Sequence, residues 1–142
     1  MEPVLRQSRR EQRRERRLAL EAIIRELNEE VARGSIVIVE GKRDEVVLRA
    51  AGYRGPLIKV KSLGGRARNI GERLASRYRR AVILVDFDRE GSKLARHLGM
   101  ELSFYGIDVD YGFRESFFEA FGGEIREVEA LRRLAEEGLE LA

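Results

Sequence analysis

Ile36-Val37-Ile38-Val39-Glu40-Gly41-Lys42 is a continuous apolar run that ends in an acid and a glycine. A second stretch repeats the plan: Val82-Ile83-Leu84-Val85-Asp86-Phe87-Asp88-Arg89-Glu90-Gly91. Neither run alternates apolar with polar residues. Unbroken runs of Val, Ile and Leu are what strands covered on both faces require, and such strands belong to parallel sheets. Each run therefore reads as a buried strand that delivers a carboxylate and a glycine turn at its carboxyl end.

The flanking segments supply the covering helices. Leu18, Leu20, Ile23, Ile24, Leu27 and Val31 recur at helical spacing and predict one long helix over residues 4–33, stopped by Gly34. Its first half, Arg6 to Arg17, has almost no apolar face and is expected to be frayed or ordered on a partner. A helix over 43–51 ends at Gly52, and Leu57–Val60 reads as a short strand. The loop Ser62-Leu63-Gly64-Gly65 then opens a basic helix from Arg66 to Arg79. After the strand at 81–86, a helix over 90–98 is expected to stop at Gly99, with a strand at Glu101–Tyr105. Asp108 and Asp110 read as loop and cap residues, followed by helices over Phe113–Phe121 and 125–137.

Strand and helix in alternation give an α/β fold: an open, mostly parallel four-stranded sheet, Rossmann-like, with helices on both faces, a long N-terminal helix and C-terminal helices. Residues 35–106 form the expected core, 1–34 a basic N-terminal helical extension, and 107–142 a C-terminal helical extension of the same domain. If the second strand lies outside the first and the third on its other side, strands one and three are neighbours. Their carboxyl ends then flank the point where the strand order reverses, which is where open α/β sheets bind ligands.

Composition removes several alternatives. There is no cysteine, which excludes disulfides and thiolate chemistry and fits a reducing, cytoplasmic setting. His97 is the single histidine, which argues against a histidine-based zinc site or a serine triad. No apolar stretch approaches a membrane span. Charged residues make up 37% of the chain, Arg outnumbers Lys, and Asn and Gln are scarce, a thermophile-like balance. The net charge of +3 conceals an asymmetry: residues 54–80 carry nine basic residues against one acid. Residues 1–17 carry seven against three, whereas 81–142 carry seven against fourteen. Clustered arginine of this kind is the footprint of a polyanion-binding surface.

Brought together, Glu40, Asp86 and Asp88 make a pocket of hard oxygen donors. Two carboxylates two residues apart repel unless a cation sits between them. Mg²⁺ relieves that repulsion and keeps coordination positions open for phosphate oxygens. Glu40 can complete the metal shell or act as general acid or base. Lys42 and Arg89 stand beside the acids and can pair with phosphate, and the N–H groups of the Gly64-Gly65 loop can cradle another. Asp44, Glu45 and Glu90 read as first-turn helix acids.

These residues resemble the Toprim domain, the module shared by type IA and type II topoisomerases, bacterial primases, OLD-family nucleases and ribosomal-RNA maturation nucleases. Val39-Glu40-Gly41-Lys42 matches the family's VEGK motif, with Asp44 matching a frequent following acid. Asp86-Phe87-Asp88 matches its DxD, and Asp88-Arg89-Glu90-Gly91 the DREG form of type IA topoisomerases. Ser92 departs from that form, where a second glutamate is usual. The resemblance spans residues 35–106. It implies that Glu40 is a general acid/base and that Asp86 and Asp88, with Glu40, carry Mg²⁺, or Mn²⁺ in its place.

The chain is too short to hold the strand gate of a topoisomerase or the platform of a primase, so it is most similar to small stand-alone Toprim proteins. The expected activity is metal-dependent phosphoryl transfer on nucleic acid, as a nuclease on structured RNA or DNA, with Arg66 and Arg68 among the residues that grip the backbone. The alternative is a non-catalytic nucleic-acid-binding or ribonucleoprotein or repair assembly module whose site docks a metal-bound phosphate. The N-terminal helix offers a surface for a homodimer or a nucleoprotein partner, and no membrane association is expected. A receiver or a DxD phosphatase would need its acidic pair after the first strand, which ends here in a single glutamate.

Overall fold

The structure, a computed structural model, describes residues 8–85 and 89–120, with side chains described throughout except at 64–68 and 117–120. Helix α1 (Arg9–Val31) leads into strand β1 (Ser35–Val39), helix α2 (Lys42–Ala50) and strand β2 (Leu57–Lys59). A 3₁₀ segment (Val60–Asn69) and a short helix α3 (Ile70–Ala75) precede strand β3 (Arg80–Ile83). Helix α4 (Arg89–Phe104), strand β4 (Asp108–Asp110) and helix α5 (Gly112–Ala120) complete the described chain. The expected helix over 125–137 lies outside the described residues. No described helix is long and apolar enough to cross a membrane.

The four strands form one parallel sheet in the order β2-β1-β3-β4. The chain moves outward from β1 to β2, then returns across β1 to β3, so the order reverses between β1 and β3. The covering helices change face at the same point, as right-handed crossovers demand. Leu20, Ile24 and Leu27 of α1 and Val47 and Leu48 of α2 pack with Val37, Val39, Val82 and Leu84 on one face. Ile70 and Leu74 of α3 and Ala95, Leu98 and Leu102 of α4 pack with Ile36, Ile38, Ile83 and Val85 on the other. All five residues of β1 are buried, which is why its sequence does not alternate.

Tyr53 closes the first of these layers. It is 2% exposed, and its hydroxyl donates to the Pro56 carbonyl at 2.7 Å. Burial pushes its pKa up to about 12, against the opposing pull of the Arg49 guanidinium stacked over its ring.

Several expectations are corrected. The basic stretch Arg66–Arg79 is not one α-helix: 3₁₀ turns run to Asn69, and α3 is held to the sheet over a single turn by Ile70 and Leu74. A helix draws most of its stability from a packed apolar face, and this stretch has only that one turn of it. The second correction concerns Glu101–Tyr105, which is not a strand: Glu101–Phe104 is the last turn of α4, and Tyr105 lies in the turn after it. Gly99 does not stop the helix; it lies inside α4, where a Cβ would collide with the Tyr111 ring and hydroxyl. The stop is Gly106, at φ +83. Ile107 N–H donates to the Leu102 carbonyl at 3.0 Å, the Schellman arrangement, with both side chains buried in one cluster.

The fourth strand is Asp108-Val109-Asp110, where loop and cap residues are expected, and it lies beyond the expected core boundary at 106. Its register explains its polarity. Arg80 of β3 pairs with Asp108, and Asp110 sits on the same face two residues on. Arg80 Nη1 lies 3.0 Å from Glu30 Oε2 of α1, and Nη2 3.8 Å from Asp110 Oδ2. Its buried Nε finds no hydrogen-bond partner among the described residues; Asp108 Oδ2, at 3.6 Å, is an ion-pair contact only. One guanidinium therefore joins α1, β3 and β4. Arg80→Ala is expected to lower unfolding free energy by about 1–3 kcal/mol, since it takes the cation away from partly buried Asp110 and leaves Glu30 with Arg33 as its cation. Asp108→Asn, at a side chain 73% exposed, should cost under about 0.5 kcal/mol. Urea denaturation of the two variants measures the difference, and equal midpoints would refute it.

Candidate functional site

Glu40 leaves β1 at its carboxyl end and is half-buried. Its backbone is pinned on two sides. Lys61 N–H donates to the Glu40 carbonyl at 2.9 Å, and the next residue, Gly41, donates its N–H to Asp44 Oδ2 at 3.1 Å. Asp44 is 7% exposed, so this acid is consumed in capping the start of α2 and is not a free donor for a ligand. Glu45 Oε1 is 2.9 Å from Lys59 Nζ of β2, so that acid is also engaged. The first-turn reading of both acids holds.

The β1–β3 ladder runs beyond the regular part of β3. Leu84 N–H donates to the Ile38 carbonyl at 2.8 Å, and continuing the register from Ile38 and Ile83 sets Val85 level with Glu40. Adjacent strands lie about 4.8 Å apart. Asp86 follows Val85 directly in sequence, but Asp86, Phe87 and Asp88 lie outside the described residues. Glu40 is thus the one described member of the acid set. Among the described residues no group of three His, Cys, Asp or Glu side chains is placed to hold a metal. Three carboxylates together would be a hard-oxygen donor set, suited to Mg²⁺ or Mn²⁺ and ill-suited to softer metals.

The remaining predicted residues fall around the same end of the sheet. Lys42 is the first residue of α2 and Arg89 the first of α4, and both are exposed. Gly64, Gly65, Arg66 and Arg68 fall in the 3₁₀ segment, whose second residue, Lys61, makes the hydrogen bond to Glu40. Their side chains are outside the description.

One residue was missed. Arg114 of α5 donates from Nε to the Val85 carbonyl at 3.2 Å and from Nη2 to Ser92 Oγ at 2.9 Å. It ties the end of β3 to the first turns of α4, on either side of Asp86–Asp88 in sequence. A lone arginine in Phe113-Arg114-Glu115-Ser116 looks like a solvated helix position, and nothing local connects it to a residue 29 positions earlier. Ser92, the departure from DREG, is the side chain that receives it.

Comparison with known proteins agrees with the fold. No family model matches the chain. The structure is similar to a solved putative protein from Aquifex aeolicus, with a TM-score of 0.66 and 25% identity, covering 78% of this chain and 96% of that one. In sequence, the chain is 39% identical over 114 residues to the UPF0292 protein of Pyrococcus abyssi, covering 80% of this chain and 82% of the relative. The UPF0292 protein of Methanosarcina barkeri is 35% identical over 120 residues, 83% of this chain and 81% of the relative. That of Archaeoglobus fulgidus is 31% identical over 120 residues, with 83% and 92% covered. With such similarity sustained over most of its length and theirs, the chain belongs to the UPF0292 family.

Proposed function

We propose that the protein is a Toprim-type, Mg²⁺-dependent phosphoryl-transfer enzyme acting on nucleic acid, a nuclease of structured RNA or DNA. The observation that carries this reading is the position of Glu40. It stands at the carboxyl end of β1, at the reversal of strand order, level with Val85, which Asp86-Phe87-Asp88 follow in sequence. Glu40, Asp86 and Asp88 would hold the cation. When bound, Mg²⁺ supplies charge stabilisation for the phosphate under attack.

The protein's own side chains do the rest. The Glu40 carboxylate takes a proton from the attacking water or returns one to the leaving oxygen as the P–O bond breaks. Lys42 and Arg89 pair with non-bridging phosphate oxygens. The basic stretch 54–80 and the exposed arginines of α1 hold flanking backbone phosphates, and α1 is also the surface for a second copy or a nucleoprotein partner. This chemistry belongs in the cytoplasm, where nucleic acid and Mg²⁺ meet.

The test is turnover. Hairpin RNA, duplex DNA and single strands are incubated with the purified chain in Mg²⁺, in Mn²⁺ and in EDTA. Cleavage with either metal and none in EDTA is expected. Binding without cleavage across the panel would replace this reading with the binding-module one.

A further inference from the structure

A cleft of about 470 Å³ lies between the β1–β2 side of the sheet, the 3₁₀ segment and α3, and the described candidate side chains Glu40, Lys42 and Arg89 do not line it. The topology explains why it is open. β2 is an edge strand, and α4 packs on the other flank of α3, where the Tyr105 ring lies against Gly71. On the β2 flank, Arg73 of α3 and Arg77 in the turn after it are exposed, above an apolar floor that includes Ile36, Ile58, Leu63 and Leu74. Among the described residues, no acidic side chain lines the cleft.

A half-open cleft of this size, with apolar side chains on its floor and cations at its mouth, fits a flat group that carries a negative charge. The rim sits in the stretch 54–80, with nine basic residues against one acid. A single small carboxylate would need one counter-charge; a run of cations suits a chain of phosphates. We propose that this cleft takes one unpaired nucleotide of a single-stranded nucleic acid, its base against the apolar floor and its phosphate on Arg73 and Arg77. The proposal rests on the nucleic-acid reading above but not on its metal chemistry.

The experiment is fluorescence anisotropy in EDTA, which silences any metal-dependent step. One probe is an eight-nucleotide single strand; the other is an eight-unit abasic sugar-phosphate strand of equal charge. The wild-type protein is expected to bind the base-bearing strand roughly tenfold more tightly. Leu63→Trp, which fills the cleft, should bring that strand down to the abasic affinity and leave the abasic strand unchanged. Ser76→Trp, on the exposed rim, gives the same readout without touching the core. Arg73→Ala with Arg77→Ala should weaken both strands several-fold. Equal affinity of wild type for the two strands, no binding of either, or filled variants that keep the preference would each overturn the proposal. A protein that prefers bases yet never cleaves loses the catalytic reading and keeps this one, and cleavage without base preference does the reverse.

Discussion

Replacing Glu40 by Gln is expected to lower Mg²⁺-dependent cleavage by about 10²–10⁴-fold, the usual contribution of a positioned general acid or base. Gln keeps the shape and the hydrogen-bonding reach of Glu but can neither accept the proton nor offer an anionic oxygen to a cation. The backbone around it will not move to compensate. Its carbonyl is fixed by Lys61 N–H, and the following N–H is fixed by Asp44, both independent of the Glu40 side chain. Residue 40 is half-buried and follows the last strand residue, so the folded state tolerates the change. Affinity for uncleaved strand should stay within about threefold, because that affinity comes from backbone phosphates gripped elsewhere. Asp86→Asn should produce the same loss of turnover, with a higher Mg²⁺ requirement. Wild-type rates in both variants would sink the proposal, whereas loss of affinity in step with activity would point to damaged binding.

The parts of this site that were legible in the sequence share a physical cause. Ile36–Val39 and Val82–Val85 have to be apolar on both faces because helices cover both, and that constraint is written into every residue of the run. The acids that follow are marked by contrast, so Glu40 could be placed at a strand end, whereas the adjacency of β1 and β3 depended on a strand order that the sequence leaves open and the sheet order β2-β1-β3-β4 supplies. The misread parts depend on contacts made across the fold. Gly99 is small because Tyr111 lies against it, and Gly106 stops the helix because it takes φ +83; the sequence alone shows two glycines with no way to rank them. Asp108 and Asp110 make a strand because Arg80 neutralises them from β3 and Glu30 shares that guanidinium from α1. Arg114 reaches the site through a carbonyl, which leaves no trace in residue identity.

Leu27→Ala is expected to cost about 2–5 kcal/mol of unfolding free energy, the range for truncating a buried leucine. For a single domain that is a large share of the total. The reason lies in the two unlike halves of α1. From Arg9 to Glu15 every residue is exposed, while Leu20, Ile23, Ile24 and Leu27 are buried among Val37, Val39, Leu48 and Val82. Leu27 is 1% exposed, and the cavity left by its side chain would open onto the central strands. The same turn is tied down by polar contacts. Asn28 Nδ2 donates to the Gly52 carbonyl at 3.0 Å, and Asn28 Oδ1 accepts from Arg54 N–H at 2.9 Å. The second half of α1 is therefore part of the core of the sheet domain. Leu18→Ala, at a position 49% exposed, should change stability by less than about 0.5 kcal/mol. Urea denaturation of both variants gives the comparison. If Leu27→Ala unfolds with the wild-type midpoint, α1 does not pack on the sheet in solution. If it unfolds early while Arg13→Gln with Arg14→Gln does not, the helix divides its work: its apolar half completes the core, and the exposed arginines at positions 13 and 14 are not needed for it.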